Sequence, residues 1–253
     1  MTPLSSRLVR WRTALLVSAS LLATVASAQS LCSSDGLRPR QGVLERFMGA
    51  DCEACWTAPG PLPAAGSVAV DWIVPSAALG DEAALSAAAT RDSLMRLNAL
   101  DWPTELAGRT FEHPQRRAAP APVPGRLRVA HGVAVADYLG VSIEWQPPQD
   151  RSRRAAAATR APGPWTAWLL LVERLPAGTE GSPIARQLVR NSLSLAGPTA
   201  PHRGWKELRT MRLPEGARPE RLALVGWLQD GQGRMVAINE TVCEKAPTPG
   251  SSR

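Results

Sequence analysis

The stretch from Gly42 to Cys55 (GVLERFMGADCEAC) sets the terms for reading this chain. Gly42 to Met48 is largely apolar and is expected to form a strand that runs directly into a Cys-x-x-Cys pair. Ser67 to Val74 (SVAVDWIV) is rich in β-branched residues and stops at Pro75, which marks a second strand. Asp81 to Leu100 carries the strongest helix pattern. Asp81 and Glu82 suit a helix N-terminus, alanine and leucine fill the interior, and Leu94, Leu97 and Leu100 recur on one side. Strand, cysteine pair, strand and helix make residues 29–115 a mixed α/β unit.

Cys52 and Cys55 are spaced to close a small disulfide ring. In thiol exchange the first cysteine is the attacking thiol and the second resolves the mixed disulfide. A helix starting at the pair would stabilise the thiolate through its free N–H groups. Pro59, Pro61 and Pro63 leave little helix, however, and the charge of Glu53 disfavours a thiolate. Three readings stay open: a structural disulfide, a redox-active pair, and half of a metal site. The last needs two more ligands, which no Cys or His pair supplies at suitable spacing. No metal or other cofactor is expected.

Working outward, Arg7, Arg10 and Arg12 precede an apolar run from Ala14 to Ala26 and the triplet Ala26-Ser27-Ala28. That order predicts a cleavable export signal over residues 1–28, because the apolar run falls short of the roughly 20 residues that span a bilayer. Its removal takes away three arginines and no acid, so the formal charge of +7 falls to +4, a mild balance. The expected location is the periplasm or the outside of the cell, which argues against a nucleic-acid partner; no membrane span is expected. Oligomeric state has no signature in the sequence. Four cysteines in an exported chain are first read as two disulfides, with three possible pairings. Spacing favours Cys52 with Cys55, which leaves Cys32 for Cys243.

A Pro-rich stretch over 116–125 is read as a linker. Beyond it, Arg126 to Ala136, Tyr138 to Gln146, Trp165 to Arg174, Gln187 to Leu195, Trp205 to Leu213, Arg221 to Gln229 and Arg234 to Cys243 each read as strands. Seven short strands with turn signals predict an antiparallel β-sandwich over 126–246, followed by a disordered tail over 247–253. Asp230 to Gly233 marks a hairpin turn. His113, His131 and His202 are scattered and read as ordinary strand or surface residues, and no Gly-x-Ser-x-Gly elbow occurs. Asp71 reads as a solvated strand-end carboxylate in preference to a functional one. The arginines at 116, 117, 151, 153, 154 and 160 read as solvated, with anionic headgroups or glycans the lesser alternative. With two Phe and one Tyr in the chain, Trp165 and Trp168 read as core residues, not as sugar-stacking surfaces.

Glu45 to Cys55 (ERFMGADCEAC) resembles the strand and active loop of a family of exported bacterial proteins with a thioredoxin-like domain, domain of unknown function 1223. Val70-Asp71-Trp72 is similar to a strand of that family, and Leu224 to Asp230 (LVGWLQD) to its closing strand; Tyr138 to Val141 fits its β-rich second half. The resemblance implies a reduced thioredoxin-like α/β domain followed by an antiparallel β-sandwich domain. It also implies thiol–disulfide exchange with a protein partner through Cys52 and Cys55. Pro114 is the candidate for the cis-proline that faces the cysteines in such sites. Where the family has proline after the second cysteine, this chain has Trp56. The alternative is a non-catalytic binding or scaffolding protein of the cell envelope with two structural disulfides.

Overall fold

The computed structural model describes residues 32–106, 108–117, 124–150, 152, 164–200 and 202–243. The expected signal (1–28) and tail (247–253) lie outside these residues, as do most of the Pro-rich stretch and most of the arginine-bearing loop after residue 150. Strands dominate. In chain order they are β1 (Cys32–Ser33), β2 (Gly42–Gly49), β3 (Ser67–Val74), β4 (Thr110–Arg116), β5 (Arg126–Val135), β6 (Tyr138–Gln146), β7 (Thr166–Leu175), β8 (Arg186–Ala196), β9 (Trp205–Arg212), β10 (Leu222–Gln229), β11 (Met235–Glu240) and β12 (Val242–Cys243). Only two α-helices occur among the described residues, α1 (Glu53–Thr57) and α2 (Arg91–Ala99).

The strands form two sheets. A five-stranded sheet has the order β12-β1-β5-β6-β9, and a seven-stranded sheet the order β11-β10-β7-β8-β3-β2-β4. The second sheet corrects the expected fold class. A helix-rich thioredoxin-like α/β unit followed by a sandwich is not what the chain forms; it is a mostly β, sandwich-like structure. Strands from both sides of the Pro-rich stretch share the larger sheet, joined where β3 meets β8 in parallel through Asp71 and Leu188. The reason lies in β2 and β3. All eight residues of β2 are buried, so both faces of the strand need cover, and two short helices supply only part of it.

Period-two alternation assigns the faces of the large sheet. Leu222, Leu224 and Leu228 of β10 and Ala167, Leu169 and Leu171 of β7 face the smaller sheet, where they meet Leu127, Val129, Val141, Ile143 and Trp145. Gly226 permits this close approach, since a Cβ there would lie 2.6 Å from the Val129 side chain. The opposite face carries Val70 and Trp72 of β3, Trp168 of β7 and Trp227 of β10 under Leu97 of α2. Trp165 and Trp168 are therefore both core residues. Toward the cysteine end, Met48, Ile73, Leu175 and Leu188 pack against Trp56 of α1.

The long helix expected over Asp81 to Leu100 is broken. Residues 80–82 and 86–88 form single 3-10 turns, and only Arg91–Ala99 is α-helical. Tertiary hydrogen bonds interrupt it: the Leu85 N–H donates to Ala50 O at 2.9 Å and the Thr90 N–H to Ile73 O at 3.2 Å. The turn after β2 and the strand β3 thus capture backbone groups that a continuous helix would have used internally.

Candidate functional site

Cys52 and Cys55 are bonded to each other, and Cys32 is bonded to Cys243. The first disulfide lies just beyond the C-terminal end of β2. β2 and β3 run in parallel with Gly49 beside Val74, so the connection between them must cross over the sheet. That crossover carries the cysteines and α1. Cys52 caps the helix: its sulfur accepts the Cys55 N–H at 3.2 Å, and the Cys52 carbonyl accepts the Cys55 N–H at 3.0 Å. The helix ends after five residues, as the prolines require.

The two sulfurs differ in access. Cys52 is 8% exposed. Cys55 is only half-buried against the Met48–Trp56 cluster. The Gly108 carbonyl oxygen lies 3.2 Å from the Cys52 sulfur and 3.7 Å from that of Cys55. In the disulfide these are contacts only; in the dithiol either thiol can donate to that oxygen. At the same end of β2 lies a cleft of about 370 Å³ lined by Gly49, Asp51, Val74, Pro75, Glu105 and Leu106, with neither cysteine in its wall. It opens at the carboxyl ends of the parallel strand pair.

Pro114 is not brought to this site. It sits opposite Leu44, near the start of β2, whereas the cysteines follow the end of that strand. β4 is an edge strand, where a residue without an N–H is tolerated. The group facing the sulfurs is the Gly108 carbonyl, which no sequence pattern announces.

Sequence reasoning also missed the network that holds the cysteine loop down. Asp71 has no exposed surface, so it is not the solvated carboxylate expected. Arg46 Nη2 donates to Asp71 Oδ2 at 2.9 Å, and Arg186 Nη1 donates to Oδ1 at 3.1 Å. Arg186 reaches further, donating to the Trp56 carbonyl and, at 2.9 Å, to that of Ala58. Its guanidinium lies 4.6 Å from the Trp56 ring centroid. Burial lowers the Arg186 side chain from its ordinary value, with Asp71 opposing that shift. The Trp56 indole N–H donates to Glu180 O at 2.7 Å. A buried carboxylate thus fixes two arginines, and one of them fixes the backbone after Cys55. The Glu-Arg-Phe and Val-Asp-Trp segments were the available signal, because neighbouring strands set Arg46 beside Asp71.

A second buried pair lies on the other face. Arg96 of α2 grips Glu45 with two hydrogen bonds, 2.9 and 2.7 Å long, and stacks 4.3 Å over Trp168. Gln115 and Gln229 extend this network to β4 and β10. Of the three histidines, His131 is buried beside the Cys32–Cys243 disulfide, His113 packs on Trp102, and His202 lies in the turn before β9. A scan against protein-family models and a search of curated proteins both find no match for the chain.

Proposed function

We propose that this is an exported protein that exchanges disulfides with a protein partner through Cys52 and Cys55. The observation that carries the reading is a disulfide at a strand end in which Cys55 is half-exposed. The resemblance of residues 45–55 to an exported family, and the export signal read over 1–28, support it. Two disulfides fit an oxidising location. No helix of the described residues is long and apolar enough to cross a membrane.

The geometry favours a division of labour opposite to the one implied by chain order. A partner thiolate attacks the accessible Cys55 sulfur. The Cys52–Cys55 bond breaks, and Cys52 leaves as a thiolate that keeps the Cys55 N–H as a hydrogen-bond donor. A second thiol of the partner, deprotonated, then attacks the mixed disulfide at the partner's own sulfur. Cys55 is released, the partner becomes a disulfide, and two electrons remain on the Cys52/Cys55 dithiol.

Glu53, in the first turn of α1, disfavours the thiolate and so stabilises the disulfide relative to the dithiol. The expected reduction potential therefore lies in the lower part of the exchange range, about −200 to −270 mV. Redox titration of the chain with alkylation of Cys52 and Cys55 reads it directly. A value below about −300 mV would make the pair an inert bridge and favour the scaffolding alternative, to which the burial of Cys52 also points. Trapping checks the roles: Cys52→Ser should form a stable mixed disulfide with a model peptide disulfide through Cys55, and Cys55→Ser should react much more slowly.

A further inference from the structure

Strands β12, β1 and β5 lie side by side, and their register sets three side chains in a row. Cys32 is paired with Cys243 on one side and with His131 on the other. Residues directly opposite in antiparallel neighbours project to the same face of a sheet. For His131 that is the inner face, because it continues the alternation of Leu127 and Val129, both in the core between the sheets. The two sulfurs and one imidazole nitrogen all lie within 4.8 Å of one another.

The imidazole is prepared as a ligand. Its Nδ1 is 2.9 Å from the Gly132 carbonyl oxygen. A carbonyl only accepts, so Nδ1 carries the proton and Nε2 keeps the lone pair. Nε2 is buried and makes no hydrogen bond of ordinary geometry among the described residues, although the Leu222 backbone also interacts with the ring. A histidine with one N–H held by a backbone carbonyl and the other nitrogen uncommitted is arranged as metal-ligating histidines are.

The donor set selects the ion. Two thiolates and an imidazole are soft to borderline donors, which suit Cu(I). A structural Zn(II) site takes four ligands, and the row supplies three. Two thiolates with Cu(I) carry one net negative charge; Arg174 lies nearby and is also paired with Glu240 at 3.6 Å. Cys32 is 5% and His131 4% exposed, while Cys243 is exposed and gives an ion its way in.

We propose that Cys32, His131 and Cys243 form a three-coordinate Cu(I) site in the dithiol state, and that the Cys32–Cys243 disulfide is the alternative, metal-free state. Interconversion transfers two electrons. An exported dithiol reduces the sulfur–sulfur bond to two thiols and is itself oxidised to a disulfide. Cu(I) then binds both sulfurs, and their two protons pass to solvent. In the reverse direction Cu(I) leaves, and a disulfide oxidant takes the two electrons back.

The test uses the full chain carrying Cys52→Ser and Cys55→Ser, which removes the other dithiol. It is reduced with a phosphine without oxygen and titrated with Cu(I), supplied as its acetonitrile complex, against a chromophoric chelator. One Cu(I) per chain is expected, with two sulfur neighbours and the outer-shell scattering of an imidazole in X-ray absorption. His131→Ala should lower the affinity at least tenfold and abolish the imidazole signature. Absence of stoichiometric binding, a copper site without imidazole, or unchanged affinity in His131→Ala would overturn the proposal. Preferential retention of Zn(II) over Cu(I) would overturn the choice of ion. Should reduction unfold the chain, Cu(I) must restore its near-ultraviolet tryptophan signal and fail to do so in His131→Ala; no recovery sinks the proposal as well.

Discussion

Asp71 has no exposed surface, and its carboxylate oxygens are paired with Arg46 and Arg186. Removing one member of a buried ion network leaves the others desolvated without compensation, at a cost of about 3–5 kcal/mol. Asp71→Asn should lower the free energy of urea unfolding by about that amount. A loss under about 1 kcal/mol would mean that the arginines had found water, in the way exposed ion pairs do. His113 supplies a pH dependence. Burial against Trp102 holds its pKa below the ordinary 6.5, with Glu45 opposing and Arg96 assisting. The unfolded chain therefore binds this proton first as pH falls. The stability His113 contributes is present above pH 6.5 and is lost as pH falls from there through its lower folded value. His113→Gln should flatten that part of the stability profile, measured by denaturant midpoints from pH 7.5 to 5. The arginine beside Asp71 could be anticipated only once the pairing of β2 with β3 was known, and the role of His113 not at all. A lone Asp or His in a strand looks the same whether its neighbours are water or arginine.

At the scale of elements, pattern reading located most strands and failed where pairing decided the outcome. Ser67–Val74 and Tyr138–Gln146 fall where their β-branched alternation put them, and the later strands agree to within a residue or two at their ends, apart from the break between β11 and β12. β4 was overlooked because its sequence, TFEHPQR, is polar and holds a proline; it is a strand only because the edge of β2 receives it. The alanine-rich segment after residue 80 failed in the opposite direction, its propensity overruled by hydrogen bonds to Ala50 and Ile73. The cysteine spacing and the short reach of α1 were readable from the prolines, but the clamp on α1 was not. Trp56 is the keystone of that clamp, buried among Met48, Ile73, Leu175 and Leu188. Trp56→Ala should cost about 3–5 kcal/mol and, in the reduced chain, speed alkylation of Cys52 as the loop lifts. Unchanged labelling kinetics would show that the strand end alone shields that sulfur.

Across the whole molecule, the Cys32–Cys243 bond closes a span of 211 residues between two strands of two residues each. Such short strands have few ladder bonds of their own, so the covalent link holds that margin of the smaller sheet. On the chain-entropy model, Cys32→Ser with Cys243→Ser should lower unfolding stability by about 5 kcal/mol. Guanidinium titration measures it, and a much smaller loss would mean that β5 already anchors both ends. The pairing of these cysteines follows from spacing by elimination, whereas the sharing of one sheet by both halves does not. Hydrophobic alternation specifies that a strand will be buried without naming the strand beside it.

The meeting of β3 with β8 also constrains the order of events during synthesis. Asp71 emerges more than a hundred residues ahead of Arg186, which completes its charge balance and ties down the cysteine loop. Until β8 arrives, the early segment has a bare sheet edge, and its buried carboxylate has Arg46 alone as a partner. A polypeptide built this way cannot complete its larger sheet until β11 has been made.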